Sequence, residues 1–322
     1  MKALQGVDGH VAWVQAQRPV CDAGQVRIRV AAAGLNRADV LQKAGHYPPP
    51  PGASPYMGLE CAGVIEEVGA GAGADWRVGD RVCALLASGA MAEQVVVDAR
   101  HVLPVPEGLS LHEAAATPEV YATAWLNIFQ LGAVKAGEKV LVHAGASGVG
   151  SAAIQLCKAF GNSVWVSVGS QERLDYCLAL GAAGGVVRNQ NLEQLEALGP
   201  FDVVLDPVGA SYGALNLKVL ARDGRWVIIG LMGGRQVELD LAQVLGKRLQ
   251  ITGSTLRNRD DAFKGELLRD LRQQVWPLFS EGRLSPQLVD TYPVEFAEAA
   301  YQALEGNQVS GKLVMVIDPT LV

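Results

Sequence analysis

At 322 residues the chain is long enough for two domains of ordinary size and a substantial buried core. Its formal net charge of -6, with Lys and Arg scattered along the sequence, leaves no basic face for nucleic acid. The five cysteines (Cys21, Cys61, Cys83, Cys157 and Cys177) are far apart, odd in number and include no CxxC pair, so their spacing suggests neither a disulfide framework nor a thiolate zinc site. No apolar run reaches the roughly 18 residues of a membrane span, and residues 1–30 lack the pattern of a signal peptide; the expectation is a cytoplasmic protein with no membrane partner.

From Lys2 to about Ala115 the pattern is short and β-rich. "QVRIRVAAAG" alternates, "ECAGVIEEVG" and "DRVCALL" follow, and "AEQVVVDARHVLPVP" closes the set, with Gly and Pro as punctuation. One helix is predicted here, from Asn36 as N-cap with Asp39 at the third helical position to a stop before Gly45 and the stiff run Pro48 to Pro51. After Leu111 the period becomes helical, and from Lys139 strands alternate with helices: "KVLVHAG", "SVWVSVGS", "FDVVLDPVG", "RWVIIGLMGG" and "LQITGST". That alternation predicts a doubly wound parallel sheet. From about Asp260 the sequence predicts one long helix, "DAFKGELLRDLRQQVWPLFSEG", and a final strand, "KLVMVID". Because this tail lacks strand–helix alternation, it is expected to fold back onto the first region, giving domains 1–119 with 260–322 and 120–259 and a cleft between them.

The stretch "VLVHAGASGVGSAAIQLCKAF" runs from an apolar strand through Gly145, Ser147, Gly148, Val149 and Gly150 into a helix. Glycines admit close backbone approach, and a helix start offers unpaired N–H groups and a positive dipole end, which together suit a pyrophosphate. Taken alone, GxxGxG is a weak signal, and a tight turn that holds nothing is its plainer reading. The next strand ends at "VSVGSQERL". A cofactor with a free 2′-hydroxyl usually meets Asp or Glu there, whereas this chain has Gly169 and Ser170, with Arg173 one turn into the helix. An uncharged strand end with a nearby cation favours NADPH over NADH, although Glu172 is close and an exposed arginine can simply be solvated.

The segments "GLNRADVLQKAGHYPPPPGASPYMGLECAG", "VGDRV", "HAGASGVG", "GSQERL", "DGRWVIIGLMGG" and "SGKLVMVID" together resemble the zinc-independent quinone oxidoreductases of the medium-chain dehydrogenase/reductase superfamily. The resemblance covers nearly the whole chain. It implies an α/β protein with a GroES-like, β-rich catalytic domain split around a Rossmann domain, NADPH as hydride source, and a homodimer. Zinc-dependent relatives carry a cysteine ligand where this chain has Asn36 and a histidine where it has Leu59. His46, His101, His112 and His143 are isolated, so no metal site is expected. Without zinc the chemistry should favour an acceptor already electrophilic, a quinone or a conjugated carbonyl.

By the same resemblance Asn36, Asp39 and Tyr47 would lie around the nicotinamide and acceptor, Thr123 near the carboxamide, and Gly230, Leu231 and Met232 along the cofactor's reactive end. Each has a plainer reading: Asn36 and Asp39 as a helix cap, Tyr47 packed on the prolines. The family commonly has a tyrosine near the 2′-phosphate where this chain has Arg188, whose guanidinium could grip that phosphate bidentately. The resulting expectation is an NADPH-dependent quinone reductase. A reductase of α,β-unsaturated carbonyls is the neighbouring reading, and a cofactor-binding structural protein with little catalysis is a rival of another class.

Overall fold

The computed structural model describes residues 1–73, 75–307 and 309–321. The chain divides into two compact units, Met1–Ala122 with Leu256–Val322, and Thr123–Thr255.

The first unit opens with an antiparallel pair, β1 (Lys2–Val7) and β2 (His10–Gln15). Asp8 and Gly9 join them, both at positive φ, as a two-residue turn matched to the strand twist demands. β3 (Gln25–Gly34) coincides residue for residue with the alternating segment predicted there. Helix α1 (Arg37–Lys43) follows with Asn36 as its N-cap, then β4 (Glu60–Val68), β5 (Arg81–Leu85), β6 (Gln94–Asp98) and β7 (Val102–Pro104). Two short helices, α2 (Leu111–Ala114) and α3 (Pro118–Ala124), lead into a π-helical turn, Trp125–Leu131.

The second unit is a six-stranded parallel sheet of β8 (Lys139–His143), β9 (Ser163–Val168), β10 (Gly184–Val187), β11 (Phe201–Asp206), β12 (Leu220–Ile228) and β13 (Gln250–Gly253). Its spatial order is β10-β9-β8-β11-β12-β13, so the direction of winding reverses between β8 and β11. This is the order of a dinucleotide-binding fold, as the alternation predicted. Helices α4 (Gly148–Ala159), α5 (Gln171–Leu180), α6 (Arg188–Asn191), α7 (Gln194–Leu198), α8 (Gly213–Val219) and α9 (Leu241–Lys247) make the connections. β10 had no strand signal of its own, since two of its four residues are glycine. Glycine there is steric: a Cβ on Gly184 would lie 2.4 Å from the Trp165 ring.

The tail returns to the first unit, and it differs from the expectation. The predicted single helix is broken into α10 (Asp261–Gln274) and α11 (Trp276–Ser280) at Val275. The cause is Pro277, which has no N–H to donate and whose ring would clash with the carbonyl four residues back. Two further elements follow, β14 (Leu288–Pro293) and α12 (Ala297–Glu305), before β15 (Lys312–Val316). β15 pairs antiparallel with β3 and parallel with β14. Among the described residues, the first unit's main sheet runs β14-β15-β3-β4-β5-β7, with β6 also on β3. Its core, including Ile28, Ile65, Met57, Met91 and Tyr301, is packed from residues at both ends of the chain. No helix among the described residues is long and apolar enough to cross a membrane.

Candidate active site

In the second unit the buried strand β8 delivers the chain to the glycine turn, and Ser147 caps α4 by accepting the Gly150 N–H on Oγ at 3.1 Å. Two of the glycines are set by packing. A Cβ on Gly150 would lie 2.4 Å from the Gly145 carbonyl oxygen, and one on Gly145 would lie 2.6 Å from Val166. The Ser151 N–H returns to the Ser147 carbonyl, so the N–H groups of Gly148 and Val149 are the ones left without a partner among the described residues. They stand at the positive end of a twelve-residue helix, an arrangement that accepts a phosphate oxygen with no rearrangement.

One strand over, Ser170 caps α5 and accepts the Arg173 N–H at 3.4 Å. A Cβ at Gly169 would lie 3.4 Å from Arg173 Nη1 and 3.7 Å from Arg188 Nη2, so both guanidinium groups converge over this glycine. Neither is in an ion pair among the described residues. Two like charges and a helix N-terminus, with Glu172 in the first turn but no carboxylate in an ion pair with either arginine among the described residues, suit an added anion such as a 2′-phosphate. Beyond β12, Gly230 packs on Pro207, and a Cβ there would lie 2.7 Å from the Pro207 oxygen. Leu231 and Met232 follow with exposed side chains. The turn, the two arginines and this segment therefore share the carboxyl edge of one sheet. Thr123, at the end of α3, is half-buried, and its carbonyl accepts the Asn127 amide at 2.8 Å.

Asn36, Asp39 and Tyr47 belong to the first unit. Asp39 is fully buried: one carboxylate oxygen accepts the Asn36 N–H at 2.8 Å, and the other has no partner. Burial pushes its pKa up to about 7, against the pull of that N–H and of Lys312 and Arg257. Asp39 thus caps α1 from inside the protein. The Asn36 side chain points elsewhere. Its Nδ2 donates to Glu60 Oε1 at 2.9 Å and its Oδ1 accepts from Lys312 Nζ at 2.8 Å. Lys312 also donates to Glu60 at 2.6 Å and to the Leu35 carbonyl at 2.7 Å, while the other Glu60 oxygen takes the Glu119 N–H at the start of α3. Gly34 makes room for this, since a Cβ there would lie 2.3 Å from Glu60 Oε1. Tyr47 is half-buried beneath Arg257, whose guanidinium carbon stands 4.9 Å from the ring centroid. Arg257 also donates to the carbonyls of Tyr47 and Ala87 and to the side chains of Gln42 and Ser88. This anchors Tyr47 through a cation.

Glu60, Lys312 and Arg257 were not singled out in the sequence. A signal existed for the first two, since an acid in the apolar strand "ECAGVI" and a base opening "KLVMV" are charges in buried positions that call for partners.

These features can be set beside known proteins. Residues 22–107 match the alcohol dehydrogenase GroES-like domain family, and residues 148–272 match the zinc-binding dehydrogenase family. The synaptic vesicle membrane protein VAT-1 homolog of Danio rerio is 30% identical over 98% of the chain and 68% of its own length. The chain belongs to the medium-chain dehydrogenase/reductase superfamily. As such it is an oxidoreductase, with a GroES-like unit and a Rossmann unit. Solved structures similar to it include the Escherichia coli quinone oxidoreductase complexed with NADPH (25% identity, TM-score 0.87, 98% of this chain and 99% of that one). The CurK enoyl reductase is another (28% identity, TM-score 0.84, 98% of each chain). The chain spans between 5% and 19% of the length of the polyketide synthases it also matches.

A superfamily with zinc-dependent members raises the question of a metal, and the residues here do not fit one. Among the described residues no three His, Cys, Asp or Glu side chains come together, and the Lys312 ammonium already neutralises Glu60 beside Asn36. A nicotinamide cofactor, by contrast, fits the open N–H groups of the turn and the paired arginines.

Asp39 generates a pH prediction. Its folded pKa lies above its unfolded value near 3.8, so the folded state holds a proton that the unfolded state has lost, and stability falls as pH rises from about 4 through about 7. Asp39→Asn keeps an oxygen for the cap and removes this penalty. In denaturant titrations the variant should gain on the wild type between pH 5 and pH 8; an equal difference at both values means that Asp39 does not titrate in this range.

Proposed function

We propose that the chain is a zinc-independent, NADPH-dependent quinone reductase. The observation that carries the reading is the convergence of Arg173 and Arg188 over Gly169, beside an uncharged strand end and the open N–H groups of Gly148 and Val149. The likeness to the Escherichia coli quinone oxidoreductase complexed with NADPH supports both cofactor and acceptor.

In this reading Gly148 and Val149 hold the pyrophosphate, while Ser170, Arg173 and Arg188 hold the 2′-phosphate. Gly230, Leu231 and Met232 line the reactive end, with Thr123 toward the carboxamide. NADPH, when bound, supplies the hydride. Asn36 and Tyr47 face the acceptor, and both are fixed from behind, Asn36 by Glu60 and Lys312 and Tyr47 by Arg257. With Asn36 so engaged and Asp39 buried, the chain's contribution is orientation, and the product takes its proton from water.

The second reading, reduction of a conjugated carbonyl, is supported by the likeness to the CurK enoyl reductase. The two separate in a panel of ortho- and para-quinones and enones with NADPH. The quinone reading expects the higher kcat/KM among quinones, and enones turning over faster would reverse it.

Cofactor choice is tested separately. Arg173→Ala and Arg188→Ala should each weaken NADPH and leave NADH nearly unchanged. Hydrogen bonds to charged groups contribute about 1.5 to 3 kcal/mol, so each loss should be roughly tenfold or more by calorimetry. A variant that shifts both nucleotides equally is not at the 2′-phosphate.

The partner is proposed to be a second copy. β13 is an edge strand, and Leu241 and Leu245 on α9 are 72% and 81% exposed. Sedimentation should give a dimer that Leu245→Glu weakens; a wild-type monomer at micromolar concentration would remove the proposal.

A further inference from the structure

The winding of the second unit's sheet reverses between β8 and β11, and the last residues of those two strands are His143 and Asp206. Both are buried and share a chain of side chains that the cofactor contacts do not use. Asp206 Oδ2 accepts the Asn216 amide at 3.0 Å and the Trp226 indole N–H at 2.8 Å. Because the Asn216 amide nitrogen donates to Asp206, its Oδ1 must accept, which places the proton of His143 on Nε2, 2.8 Å away. His143 Nδ1 then accepts the Ser167 hydroxyl at 2.7 Å. Burial lowers the imidazole pKa and keeps it neutral, as this order of donors requires.

The other oxygen of Asp206 faces outward. Oδ1 accepts the N–H groups of Val208 at 2.7 Å and Gly209 at 3.0 Å, folding the chain over the end of β11. The loop so formed is a template. Pro207 and Val208 carbonyls accept the N–H groups of Met232 at 3.2 Å and Gly233 at 2.7 Å, and the Ala210 N–H donates to the Gly234 carbonyl at 3.2 Å. Gly209, at φ +81°, lies so close that a Cβ would stand 3.0 Å from both Leu231 Cδ2 and the Gly234 oxygen. The backbone of residues 230–234 therefore takes its path from a loop that one buried carboxylate holds.

We infer that Asp206, backed by Asn216 and His143, is a positioning residue for the nicotinamide half of the cofactor, acting through the 207–210 loop on Gly230, Leu231 and Met232. This rests on the cofactor reading above, and it separates the two halves of the ligand. The adenine half is held by Ser170, Arg173 and Arg188, none of which bonds to the Asp206 loop among the described residues.

The test compares NADPH with 2′,5′-ADP, which carries only the adenine half, by calorimetry on the full chain. Asp206→Asn turns an amide N–H toward groups that are themselves donors. It should weaken NADPH by about tenfold or more and leave 2′,5′-ADP within about twofold. Gly209→Ala, which presses on the same segment and leaves every side chain of the buried chain unchanged, should give the same pattern and serves if Asp206→Asn does not fold. Equal weakening of both ligands, or no change in either, overturns the inference. Wild-type protein that binds neither ligand removes the cofactor reading beneath it.

Discussion

A carboxylate taken wholly out of water is best held where donors meet it on every side, because desolvating an ion costs several kcal/mol even after the protein relaxes. Each unit is organised around one such group. In the first, Glu60 draws in Lys312 from β15, Asn36 from the start of α1 and the N–H of Glu119 at the start of α3. In the second, Asp206 collects Asn216, Trp226 and two backbone N–H groups from α8, β12 and the loop beyond β11. Elements far apart in sequence are brought to one point by a demand that only a complete set of donors satisfies. The loops proposed to hold the cofactor and acceptor are built outward from these points.

What could be read from the sequence divides along the same line. β3, the cap of α1, the glycine turn and the strand–helix alternation are signals contained within a few residues, and each is found where its pattern lies. The tail was less legible. "LVDTYP" shows no clean alternation, and its pairing with β15 is what makes it a strand. The break at Val275 carried a proline as its signal, outweighed by strong helical periodicity on either side.

The candidate site follows the same pattern. Ser147, Ser170 and Arg173 sit on helix starts that the sequence announces. Arg188 is placed over Gly169 by parallel pairing of β9 with β10, which brings the strand ends level. The partners that fix Asn36 and Tyr47 are hidden by distance. Lys312 lies 252 positions from Glu60, and Arg257 lies 210 positions from Tyr47. Composition names such residues only as charges that ought not to be buried.

The pairing of β15 with β3 has a consequence for how the chain is made. Residues 123–255 are continuous, and their six strands are all available once that stretch has left the ribosome. The first unit must wait, because β3 lacks one neighbour and Glu60 lacks its cation until residues 312–316 emerge. Domains fold as units as their residues appear. A nascent chain of this sequence can therefore complete the parallel sheet of residues 123–255 while the earlier-made sheet still lacks β15 and Glu60 still lacks Lys312.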